Sequence, residues 1–70
     1  MNIVLTEHAR ERLKKRKITL EEVKLAINSP DSLRKEGGKY IAEKHIGRAK
    51  IEVVFEKDNY IKVITIYYIP

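Results

Sequence analysis

Three turn signals cut the second half of this chain into segments suited to an antiparallel sheet. Gly37-Gly38 lies between a weak strand pattern over Ser32–Glu36 and a stronger one over Lys39–Ile46, the layout of a β-hairpin. Gly47 opens a second turn, after which Ala49–Glu56 alternates with Ile51, Val53 and Phe55 on one face. Lys57-Asp58-Asn59 supplies the third turn. Tyr60–Ile69 is apolar on both faces, at Val63, Ile64, Ile66 and Tyr67, and is predicted to be a central or doubly covered strand. Connections this short cannot cross over a sheet, so successive strands must run antiparallel.

The first half carries helical signals. Residues 1–5 (MNIVL) are apolar and read as a short strand or an arm on the domain. Thr6 is placed to cap a helix from Glu7 to Arg16. Thr19-x-x-Glu22 has the capping-box pattern, and Ile18 before it is placed to staple onto Val23. Leu20, Val23 and Ile27 give the second helix its buried face, and Asn28-Ser29-Pro30-Asp31 ends it, because proline cannot continue the ladder. Helices this short are marginal alone and must pack on the sheet. The expected fold is α+β in the order α-α-β-β-β-β: one domain over residues 1–70, with two N-terminal helices on one face of a three- to four-stranded antiparallel sheet.

Seventy residues bury roughly 60% of the surface of the unfolded chain, and no cysteine reinforces the fold. His8 and His45 are the only histidines and lack zinc-ligand spacing, so neither a metal nor another cofactor is expected. No apolar run approaches the ~20 residues a membrane span needs, and the N-terminus lacks a signal-peptide layout; a soluble, cytoplasmic protein is expected. Charged residues make up 36% of the chain while Gln, Cys and Trp are absent, as in thermophile proteins. The net charge of +5 favours polyanionic partners, RNA first, through phosphate neutralisation and counterion release.

His8, Arg12 and Arg16 recur every four residues along the first helix, close to the Leu5, Ala9 and Leu13 stripe. Guanidinium groups at the edge of an apolar face need partners: carboxylates such as Glu21, Glu22, Asp31, Glu43 or Glu52, or the phosphates of a ligand. Arg16, deepest in the stripe, reads as an anchor to a carboxylate. Imidazole is the side chain suited to proton transfer near neutral pH, so His8 could serve as acid or base, with Arg12 one turn on to hold a phosphate; alternatively His8 orders the helix entry by bonding a backbone carbonyl. On the sheet, Lys44 shares a face with Tyr40 and Ala42, while Glu43 and His45 take the other. Arg48 sits at the next turn, and Thr65 and Tyr67 share a face of the last strand. If Lys44, Arg48 and Tyr67 converged beside the helix start, they would make a phosphate site with an aromatic for base stacking. Lys14-Lys15-x-Lys17 forms a basic edge that would raise nonspecific RNA affinity.

Thr6-Glu7-His8-Ala9-x-x-Arg12-x-x-x-Arg16-x-Ile18-Thr19-x-Glu21-x-Val23 resembles the opening of a small bacterial and archaeal domain family of unknown function. Pro30, Gly37-Gly38-Lys39-Tyr40, Val53-Val54-Phe55 and Lys62-Val63-Ile64-Thr65 continue the resemblance over nearly the whole chain. That family is similar in layout to RelE/ParE- and BrnT-type toxins of toxin–antitoxin systems, many of which cleave RNA. The resemblance implies a RelE-like fold, RNA binding or metal-independent ribonuclease activity, and an antitoxin as protein partner; the residues' own chemistry makes His8, Arg12 and Lys44 the catalytic candidates. From the chemistry of the residues themselves, Arg48, Tyr67, Lys14 and Lys15 are the candidate RNA contacts. The chain is shorter than most such toxins and lacks their C-terminal helix. The alternative is a noncatalytic interaction module whose exposed strands pair with another chain or with a second copy.

Overall fold

A computed structural model describes residues 2–70; Met1 of the predicted N-terminal arm lies outside the described residues. The elements are β1 (Ile3–Leu5), α1 (Glu7–Arg16), α2 (Leu20–Asn28), β2 (Ser32–Glu36), β3 (Lys39–His45), β4 (Lys50–Lys57) and β5 (Ile61–Ile69). The α+β class and both helices agree with the sequence reading.

The sheet does not match the expected three or four antiparallel strands. It has five, in the order β1-β5-β4-β3-β2, and it is mixed. Ile3, Val4 and Leu5 pair in parallel with Ile61, Lys62 and Val63, from the far end of the chain. The strand alternative for the N-terminal segment is realised over Ile3–Leu5, but a three-residue strand has no periodicity to read, so neither its place in the sheet nor its direction is encoded locally. The three hairpins form as expected, with Arg34 opposite Ile41, Ala42 opposite Val53 and Val53 opposite Ile66. β5 is an interior strand, but the middle of the sheet is β4, buried without interruption from Ile51 to Phe55.

Local chemistry explains the helix ends. Thr6 Oγ1 accepts from Ala9 N–H and donates to the Ile64 carbonyl, both at 3.0 Å, so one hydroxyl caps α1 and ties it to β5. At the other end Lys17 adopts the left-handed conformation (φ 54°). Ile18 N–H then bonds the Leu13 carbonyl at 3.0 Å and Lys17 N–H bonds Lys14, a Schellman closure made without glycine. The Thr19–Glu22 capping box is complete in both directions. α1 lies alongside β5 and α2 covers β3 and β4. Ala9, Ile18, Val23 and Ala26 from the helical half meet Ala42, Ile51, Val53, Val63 and Ile66 of the sheet in one core.

The other face of the sheet carries no helix, yet Ile41 and Val54 are only 9% exposed there. The register makes a row of Ser32, Glu43, Glu52 and Tyr67 across four strands. Arg34 reaches over this face to Glu36 (2.8 Å), Glu43 (3.2 Å) and Glu52 (3.6 Å). Its stem shields the apolar residues, and its charge offsets the repulsion between the directly opposed Glu43 and Glu52.

Candidate functional site

α1 bears Arg10, Arg12, Lys14, Lys15 and Arg16, with Lys17 following it. Among the described residues none of these six cations lies within ion-pair distance of a carboxylate. Elsewhere among the described residues, Arg34, Lys39, Lys44 and Lys50 on the strands and Arg48 in the β3–β4 turn are paired, whereas Lys24, Lys35, Lys57 and Lys62 are not. Arg12 and Arg16 are half-buried without the anionic partners expected of them. Four of their five proposed carboxylates are engaged elsewhere, Glu22 by Arg48, Asp31 by Lys44, and Glu43 and Glu52 by Arg34, while Glu21 is exposed and pairs with neither arginine. What Arg16 contributes to packing is its backbone, since its carbonyl accepts from the Tyr68 hydroxyl at 2.6 Å.

His8, Arg12, Lys15 and Arg16 stand at i, i+4, i+7 and i+8 and form one flank of the helix, about 12 Å long at 1.5 Å per residue. At the start of this row His8 Nε2 lies 3.1 Å from Thr65 Oγ1 and accepts from Arg12 Nε at 3.4 Å. The expected pair of His8 and Arg12 is therefore assembled, with Thr65 as a third member. No short-range pattern marks Thr65 for this group, because the helix–strand contact spans 57 positions of sequence.

The expected sheet residues do not join this group. Lys44 lies opposite Ile51 on the helix-side face of β3, two strands from β5, or roughly 10 Å at ordinary strand spacing. Its Nζ is 3.4 Å from Asp31 Oδ1. Tyr67 is on the opposite face, opposite Glu52. Its hydroxyl bond to the Glu52 carboxylate, reinforced by burial, raises the phenol above its usual value. Arg48 is at the far end of α1 from His8, bonded to Glu22 and, at 3.0 Å, to the Lys17 carbonyl. Lys44, Arg48 and Tyr67 therefore occupy three separate places. Lys14 and Lys15 are exposed on α1.

Arg48 locks the junction between the helices. It donates to both Glu22 oxygens, and this contact first, then the Thr19 hydrogen bond, holds the Glu22 carboxyl below its ordinary 4.5. Asp31 is held below 3.8 chiefly by the His45 N–H at 2.7 Å. Both groups bind protons less tightly in the folded chain, so the stability they confer is present above the unfolded value. It is lost as pH falls through the folded one. Glu22→Gln is expected to lower the urea midpoint at neutral pH, with the gap to wild type closing as pH drops below about 4.5. A gap that stays constant down to about pH 3 would show that the Glu22 charge contributes nothing to stability.

These features define a class: a small α+β domain that leaves one helix as an unneutralised basic ridge and pairs both arginines outside that helix, Arg34 and Arg48, with carboxylates. The model of a family described as a domain of unknown function (DUF4258) matches residues 5–68, and the chain belongs to that family. No curated protein and no solved structure matches the chain. No helix is long and apolar enough to cross a membrane, and among the described residues no group of three or more His, Asp or Glu could hold a metal ion.

Proposed function

We propose that the chain binds RNA through the flank of α1 formed by His8, Arg12, Lys15 and Arg16. The observation that carries this reading is the concentration of unpaired charge: among the described residues all five α1 cations lack a carboxylate partner, whereas Arg34, Lys39, Lys44, Arg48 and Lys50 are paired and the unpaired Lys24, Lys35, Lys57 and Lys62 stand one to an element on α2, β2, β4 and β5. A cation without an internal partner is free to release counterions from a phosphate backbone. The row spans about 12 Å, the axial rise of three to four nucleotides of one strand at ~3.4 Å each. His8, Arg12 and Thr65 form its polar end, where a phosphate oxygen would meet a guanidinium and a hydroxyl. Lys14 extends the basic surface on the other flank. The resemblance to RelE/ParE- and BrnT-type toxins favours the same ligand. Cleavage without a metal would need a second acid or base beside His8, and Lys44 lies two strands away. Binding is therefore the reading the geometry favours.

The test is a titration of a short fluorescent single-stranded RNA between about 20 and about 200 mM salt. Three engaged cations predict a log–log slope of about −2, at ~0.7 per phosphate. No binding at the lowest salt, or a slope near zero, would overturn the proposal. Gel analysis of the same RNA should show it intact; metal-independent cleavage abolished by His8→Ala would establish a ribonuclease instead.

A further inference from the structure

The two edges of the sheet differ. One is formed by β1, with α1 alongside β5; at the other, β2 has no neighbour beyond it and all five of its residues are exposed. A bare edge presents backbone N–H and C=O groups to any extended segment that can approach. Beside this edge, on the helix-side face, Leu33, Ile27, Tyr40, Phe55, Ile61 and Lys57 line a cleft of about 200 Å³. Tyr40 and Phe55 stack at 5.4 Å in it, and Leu33 is 52% exposed at its lip. The cleft exceeds the ~150 Å³ that accepts a benzene-sized group. Lys35, two residues along β2 on the same face, lies over the Tyr40 ring at 5.3 Å. Among the described residues, neither Lys35 nor Lys57 has a carboxylate partner. Arg34 leaves this side clear, since its carboxylate partners hold it on the opposite face.

We propose that β2 receives an extended acidic segment of a partner protein, which adds to the sheet as a further strand. An apolar side chain of that segment enters the cleft at Leu33, and a carboxylate two positions along meets Lys35. The alternation follows from the pleat: residues two apart share a face, and the face beside β2 offers an apolar lip and then an unpaired ammonium. Charge selects the occupant. A second copy would bring its own +5 to this edge, whereas an acidic strand neutralises Lys35 and Lys57.

The probe is a fluorescent, end-blocked peptide of about eight residues alternating leucine with aspartate, long enough to pair along the whole of β2. Anisotropy titration of the full chain is expected to show binding, and N-methylation of alternate peptide nitrogens is expected to abolish it. Lys35→Glu should weaken binding about tenfold, with a lysine-for-aspartate peptide regaining affinity for that variant. Leu33→Ser should weaken it without the charge rescue. Both positions are exposed, so circular dichroism should show an unchanged fold. Binding indifferent to N-methylation or to Lys35→Glu would overturn the proposal, as would no binding at millimolar peptide. A dimer in sedimentation that Leu33→Ser dissociates would assign the edge to a second copy instead.

Discussion

Ile18→Ala is expected to lower the unfolding free energy by about 2–5 kcal/mol, the range for truncating a buried aliphatic residue to alanine. Ile18 is 2% exposed and among the largest fully buried side chains. It sits where α1 closes and α2 begins, its N–H bonded to Leu13 and its side chain in the core with Ala9, Val23 and Ile66. Because the junction is also held by Arg48 and the capping box, it has little freedom to collapse into the cavity left behind. A 70-residue domain has only about 4–10 kcal/mol in total at ~0.05–0.15 per residue, so this one substitution removes a large share. With a urea slope of about 1 kcal/mol per molar, the midpoint should fall by roughly 2 M or more at unchanged slope. A loss below about 1 kcal/mol, no more than truncating a surface side chain such as the 45% exposed Leu25, would mean that the junction is not packed as described.

Reversing Arg12 and Lys15 together to glutamate is expected to cost about a hundredfold in RNA affinity at about 50 mM salt and to flatten the salt dependence. The two changes lower the net charge from +5 to +1, since 5 − 4 = 1. Lys35→Glu with Lys57→Glu makes the same change at two exposed sites on β2 and at the end of β4, whereas α1 packs on β5 and β1. If affinity follows the ridge, the first pair loses binding and the second stays within a few-fold of wild type. Equal losses in both would mean that net charge alone attracts RNA, and the α1 site would fall. Both pairs are to be checked for native stability, because Arg12 is half-buried.

Much of the fold was legible because its causes are local. The capping box, the Ile18 staple, the Pro30 stop and the three turns each act within a few residues, and all are realised. The proximity of His8 and Arg12 was equally legible, as one helical turn guarantees it. The partners of the arginines were not. Periodicity marked Arg12 and Arg16 as guanidiniums near an apolar stripe, but could not show that Arg34 and Arg48 would take the nearby carboxylates.

The sequence by itself determined which segments after Thr6 are helix and strand and that the chain carries an excess of positive charge; the buried face of α2 it marked only in part, since Val23 is buried as expected but Leu20 is 37% exposed and Ala26 takes its place in the core. Only the tertiary structure decided that β1 returns in parallel to β5, that Lys44, Arg48 and Tyr67 point to different places, and that none of the α1 cations meets a carboxylate. Each of these depends on contacts between residues far apart in the chain. Strand order and side-chain partnership are chosen by global packing, and short-range patterns carry no record of that choice.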